Sequence, residues 1–235
     1  MSWALVTNSG ANFENAGPDT TIVLALGAAV AVDGLIVGYA VWGGTTNDIT
    51  GVTDGLGNSY SLLGATVTDA DNGSRSRMFY SKVTVAGTPT ITATIDGSQG
   101  NRKMVEAAWT GSAASPTDQA TGQHQSNVGP GTDVAFSGNV SPTADGDLIV
   151  GCFHSFSGGP TQLAGTNFTL TPGANTSLTS PCAIMEDLVQ ATAASIQSTF
   201  TVGLGSTYPN TLVAAFKVAA AGGDSGTVVQ WVGII

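Results

Sequence analysis

The chain has 235 residues, 42% of them hydrophobic and only 9% charged, and six Lys and Arg against sixteen Asp and Glu leave a formal net charge of −10. The apolar content excludes a disordered chain, and the acidic balance excludes a phosphate-neutralising surface for nucleic acid or for an anionic membrane. Polarity comes instead from Ser, Thr, Asn and 32 glycines, a composition of the kind found in β-proteins that work outside cells.

The N-terminal octet, Met1-Ser2-Trp3-Ala4-Leu5-Val6-Thr7-Asn8, has no basic region and no long apolar core, so it does not read as a secretory signal. Period-2 alternation and β-branched residues predict strands. In the first half these are 2–7, 20–26, 35–42, 58–63, 77–85, 90–95 and 103–110. The apolar stretch 22–32 is too short to span a bilayer. In the second half the strands are 119–126, 132–137, 147–156, 166–171, 182–190, 196–202 and 211–218. Turn residues separate them at 16–19, 54–58, 69–73, 96–98 and 157–160. Only 191–195 reads as a short turn of helix, and 111–116 reads as the join between halves.

The two halves repeat one another. Gly17-Pro18-Asp19-Thr20 returns as Gly129-Pro130-Gly131-Thr132, and Leu35-Ile36-Val37-Gly38 as Leu148-Ile149-Val150-Gly151. Gly57-Asn58-Ser59-Tyr60-Ser61-Leu62 returns as Gly165-Thr166-Asn167-Phe168-Thr169-Leu170, and Ala107-Ala108-Trp109 as Ala214-Ala215-Phe216. The expected fold is all-β, a jelly-roll-like sandwich with internal pseudo-two-fold duplication. Its halves cover about 1–112 and 113–221, and two abutted sandwiches are the alternative arrangement. Residues 222–235 read as a linker and an apolar docking segment. Val228, Val229, Trp231, Val232, Ile234 and Ile235 are the candidate interface, because an uncharged apolar strand left in water is sticky.

Chemistry-bearing residues are few. Gly223-Asp224-Ser225-Gly226 matches the core of a serine-nucleophile loop, but His124 and His154 stand in no supporting context, so it reads as linker. His154 near Cys152 falls short of a zinc ligand set and reads as a strand histidine at a sandwich rim. Cys152 and Cys182 read as two buried thiols, a disulfide being the alternative. Asp69-Ala70-Asp71-Asn72-Gly73 offers oxygens at alternate positions, as calcium loops do, but lacks the distant bidentate Glu and reads as an acidic turn. Asp54 with Asn58, and Asp145 with Asp147, read the same way. Glu106, Glu186 and Asp187 are weighed as a glycosidase pair and set aside. Trp42, Trp109, Tyr39 and Tyr60 read as core or rim aromatics ahead of sugar-stacking ones. No catalytic residue, cofactor or metal is expected.

Val52-Thr53-Asp54, then Gly57-Asn58-Ser59-Tyr60-Ser61-Leu62, Met78-Phe79-Tyr80-Ser81-Lys82-Val83 and the Ala-Ala-Trp strand together resemble a pattern over about residues 20–218. It is that of a loose group of β-sandwich structural proteins of tailed phages and bacterial surfaces. The resemblance implies a non-enzymatic virion protein, either a capsid decoration or a head- or tail-fibre component. Its expected partners are virion proteins or copies of itself, with a surface glycan as a further possibility and neither nucleic acid nor membrane. Such a protein would be made in the host cytoplasm without a signal peptide and reside in the virion. The alternative is a secreted, extracellular carbohydrate-binding or adhesive module.

Overall fold

In a computed structural model of the chain, the described residues are 2–126, 128, 134–155, 163–176, 182–202 and 208–220. They form strands and no helix. The strands are β1 (Ala4–Leu5), β2 (Ala11–Asn15), β3 (Asp19–Ala25), β4 (Leu35–Gly43), β5 (Ile49–Asp54), β6 (Ser61–Asp69), β7 (Ser74–Lys82), β8 (Thr90–Gln99) and β9 (Arg102–Thr110). They continue as β10 (Ser112–His124), β11 (Val134–Phe136), β12 (Leu148–Ser155), β13 (Leu163–Ala164), β14 (Thr169–Asn175), β15 (Cys182–Val189), β16 (Thr199–Thr201) and β17 (Asn210–Val218). The expectation of an all-β, sandwich-like chain holds.

Four antiparallel sheets are stacked in layers. One inner sheet has the order β1-β9-β4-β7-β6, with β2 also on β9, and the other has β10-β17-β12-β15-β14. The outer sheets are β3-β8-β5 and β11-β16-β13. The side chains of β4 show why the layers exist. Leu35, Val37, Tyr39 and Val41 point into a central core shared with Leu148, Val150 and Cys152 of β12 and Leu212, Ala214 and Phe216 of β17. Ile36, Ala40 and Trp42 point the other way, against Ile22, Val52, Ile91, Ala93 and Ile95 of the outer sheet. All nine residues of β4 and all eight of β12 are therefore buried. A strand covered on both faces reads as a continuous apolar run rather than an alternating one, and Leu-Ile-Val-Gly is such a run.

Read from β2 and from β10, the strand orders of the two halves correspond place for place. Close contacts join the halves. An added Cβ at Gly10 would stand 1.8 Å from the Pro172 carbonyl oxygen, and the Asn12 amide donates to the Gly173 carbonyl at 3.1 Å. The Ala219 N–H donates to the Gly111 carbonyl at 2.6 Å. Gly111 has φ +101°, and a Cβ there would lie 2.5 Å from the Ser2 oxygen. Ser2, Gly111 and Ala219 thus meet at one pole.

Three expectations are corrected. The join is Gly111 alone: Ser112 through Pro116 belongs to β10, paired Ser112 to Val218 and Thr117 to Phe216 with a register shift between. Residues 191–195 form bends and not a helical turn. Strands β2, β5 and β13 exist where loops were expected. β5 carries a bulge between its Ile49–Ile95 and Gly51–Thr94 pairs, which puts Ile49 and Val52 on the same buried side and breaks the two-residue period. The six candidate interface residues, Val228 to Ile235, lie outside the described residues.

Candidate functional site

The aromatic candidates sit in the interior. Tyr39 and Trp42 are 0% exposed and Trp109 is 1% exposed, so none of them presents a face to a sugar. Tyr60 is half-buried. It packs edge-on against Phe79 with ring centroids 6.0 Å apart and donates its hydroxyl to Asp54 Oδ2 at 3.0 Å.

The loop after β5 is organised on one carboxylate. Asp54 Oδ1 accepts the N–H groups of Leu56, Gly57 and Asn58 at 2.9, 2.7 and 3.0 Å, and Oδ2 accepts the Asn58 amide at 2.9 Å. Burial works to raise the Asp54 carboxyl, but these bonds from Asn58, Tyr60 and Leu56 outweigh it and hold the group below its ordinary value. The Asp54 side chain is spent on the turn, and the Asn58 side chain ties the turn to Thr84 and Val85.

Glu106, Glu186 and Asp187 do not converge. Glu106 pairs with Gly38 across β9 and β4 and shares its face with Met104 and Ala108, which belong to the first outer core. Its carboxyl is fully buried, neither oxygen meets a hydrogen-bond donor among the described residues, and burial raises it well above the usual range. Glu186 lies beyond the central core, where it accepts from Gly165 N–H at 2.8 Å and Ser198 Oγ–H at 2.7 Å. Burial pushes it up to about 7. Asp187, its neighbour in β15, faces the opposite side of the sheet and accepts from Thr171 Oγ1 at 2.7 Å.

Cys152 and Cys182 are free and buried. Their strands are neighbours, but Cys152 pairs with Met185 and Cys182 with Ser155. Cys152 faces the central core and Cys182 faces an outer one, so the sheet separates the two sulfurs. His154 is 0% exposed rather than at a rim. Its Nδ1–H donates to the Cys182 carbonyl at 2.7 Å, and burial drops its pKa to about 3, which keeps it neutral.

Two arrangements are not evident from the sequence. Asp118, on β10, accepts from Thr143 N–H at 2.6 Å and stands 3.5 Å from Lys217 Nζ. It lies beside Asp147, which burial and then the negative charge of Asp118 push up to about 6. Asp145, read with Asp147 as part of an acidic turn, accepts from Ala193 N–H at 2.7 Å. The second arrangement is at the turn 69–73, where His124 comes in from the end of β10. Its Nε2 lies 3.0 Å from Asp71 Oδ2 and 3.7 Å from Asp69 Oδ1. Hydrogen bonds from His124 and Ser126 hold the Asp71 carboxyl below its ordinary value.

A shallow groove of about 430 Å³ crosses the seam between halves. Ser59, Ser61, Tyr80 and Lys82 line it from the first half, and Ser115 and Thr117 from the second. Tyr80 is braced by Phe216 at 5.8 Å. No known family model, curated protein or solved structure matches the chain.

Proposed function

We propose that the chain is a non-enzymatic structural protein of a phage virion, a capsid decoration or a head- or tail-fibre component. The observation that carries this reading is where the reactive side chains are spent. Asp54 holds a turn, Glu186 ties Gly165 and Ser198, and His154 is locked neutral inside a strand. Trp42 and Trp109 fill cores. Four stacked sheets with chemistry directed inward make a rigid block suited to assembly.

The strand order supports a duplicated, jelly-roll-like origin. Counting β2 to β9 as strands one to eight, the inner sheet runs 1-8-3-6 with strand 5 beyond, and the outer sheet runs 2-7-4. This order supports a jelly-roll-like reading in which the fifth strand has moved to the inner sheet. β10 to β17 run in the same order. The resemblance to phage and bacterial surface sandwiches points the same way. Assembly would run through Val228, Val229, Trp231, Val232, Ile234 and Ile235, added as a strand to a neighbouring subunit or virion protein.

Mass spectrometry of purified phage particles from the source culture tests this: the protein is expected in the particle at stoichiometric level, and its absence sinks the reading. Deleting 222–235 is expected to abolish assembly while monomer melting stays unchanged.

The groove favours a second reading, a secreted carbohydrate-binding or adhesive module. It exposes hydroxyls beside one braced tyrosine, a combination suited to a sugar face and edge. A glycan array, with Tyr80→Ala as control, separates this reading from the first.

A further inference from the structure

The tautomer of His124 is fixed from outside its carboxylate partners. The Asn210 amide nitrogen donates to the Val67 carbonyl at 3.3 Å, which turns Asn210 Oδ1 toward His124 Nδ1 at 3.1 Å. An amide oxygen only accepts, so Nδ1 carries a hydrogen. Nε2 then faces Asp71 Oδ2 and Asp69 Oδ1, two more acceptors. A neutral imidazole would aim its lone pair at two carboxylates. The Nε2 lone pair and the two carboxylate oxygens then face one gap, an all-acceptor arrangement that suits a metal ion.

The spacing suits a metal. One ligand atom from each of Asp69, Asp71 and His124 lies within 4.8 Å of the other two. Ligands about 2.1 Å from a tetrahedral ion are about 3.4 Å from each other, and the observed 3.0 and 3.7 Å bracket that value. The ligands are also held in place. Asp69 is 0% exposed, and its Oδ1 accepts the N–H groups of Asp71 and Asn72, both at 2.9 Å. Ser126 Oγ–H holds Asp71 Oδ2 at 2.8 Å, and Asn210 orients the ring as the outer partner of a ligating histidine does.

We propose that Asp69, Asp71 and His124 form a site for a divalent transition metal of the zinc class. An imidazole nitrogen with two carboxylate oxygens selects zinc or cobalt over calcium or magnesium, which take oxygen alone. The ion fastens the β6–β7 turn of the first half to the end of β10 in the second, whose His124 is held by Asn210 at the start of β17. It is a clamp across the seam between the halves.

The test uses the full chain, stripped with EDTA and melted with zinc, cobalt, magnesium or calcium chloride near neutral pH. Zinc and cobalt are expected to raise the melting temperature by roughly 5–10 °C at a hundredfold excess over Kd. Calorimetric titration should give one ion per chain, and magnesium and calcium should do nothing. His124→Gln and Asp71→Asn are expected to weaken zinc binding at least tenfold. A readout on the unaltered chain guards against variants that do not fold: zinc should shift the nitrogen resonance of His124 Nε2 and leave His154 unmoved. The proposal is overturned by an unaltered chain that neither shifts nor binds zinc. Zinc binding kept at full strength in His124→Gln, or a resonance shift at His154 alone, overturns it equally.

Discussion

Gly38, in the middle of β4, lies against the ring of Phe79 on β7, so that a Cβ added at Gly38 would stand 2.1 Å from Phe79 Cζ. The missing side chain makes room for the ring in the first outer core. Gly151 stands in the same relation to Ser198 in the second half, with an added Cβ 2.1 Å from Ser198 Oγ. Gly38→Ala is expected to cost about 1–3 kcal/mol through overpacking. Thermal melting of Gly38→Ala alone and with Phe79→Leu checks this: the smaller side chain at 79 should return part of the loss.

Stability is expected to fall as pH rises from about 6 to about 8. Glu106, Glu186 and Asp147 all have folded pKa values raised above their unfolded ones. The folded chain therefore holds more protons than the unfolded chain above about pH 4.5, and stability declines as pH climbs through that interval. His154, lowered to about 3, has the opposite sign: its contribution is whole above about pH 6.5 and is lost as pH falls. It does not offset the carboxyls on the alkaline side. Glu106→Gln is expected to raise melting by a few degrees near pH 8, roughly 2–4 °C per kcal/mol for a chain of this size, and to change little near pH 5. Calorimetry at the two pH values decides; an equal effect at both would contradict the account.

The two thiols are expected to be silent in the native chain. Burial raises Cys152 well above its ordinary value and pushes Cys182 up to about 12, so neither supplies thiolate near neutrality. A colorimetric thiol titration should find none reactive in buffer and two in denaturant. Intact mass should show no two-hydrogen loss after air oxidation of the folded protein.

Removing the Asp54 carboxylate takes away the acceptor of three backbone N–H groups and the Tyr60 hydroxyl, and one of the two acceptors of the Asn58 amide. Asp54→Ala is expected to cost about 1–3 kcal/mol in urea unfolding, and Asp54→Asn less, since one oxygen acceptor remains. The folded pKa is lowered, so this stabilisation is present above about pH 4 and is lost as pH falls through the folded value.

How much was legible depended on whether a segment's partners are local. The Leu-Ile-Val-Gly runs of β4 and β12 are strands by composition alone, and Trp42 and Trp109 could be placed in a core. The polar β2 was illegible because Glu14 is paired with Lys103 of β9 and Phe13 is its one large apolar residue. Pro116 argued for a linker, but β10 is an edge strand with a register shift there, the setting in which a sheet accepts proline. The turn 69–73 reads as an acidic turn, whereas His124 reaches it from 53 positions away. That approach is set by how the halves pack, and no local pattern encodes it.

The meeting of Ser2, Gly111 and Ala219 at one pole makes the written order of the halves immaterial to the architecture. A chain opened at Gly111 and closed from residue 220 to residue 2 by a short glycine-serine tether keeps every ladder described, because no strand has to move to make the new junction. Such a circular permutant exchanges which half leaves the ribosome first while preserving the same four layers.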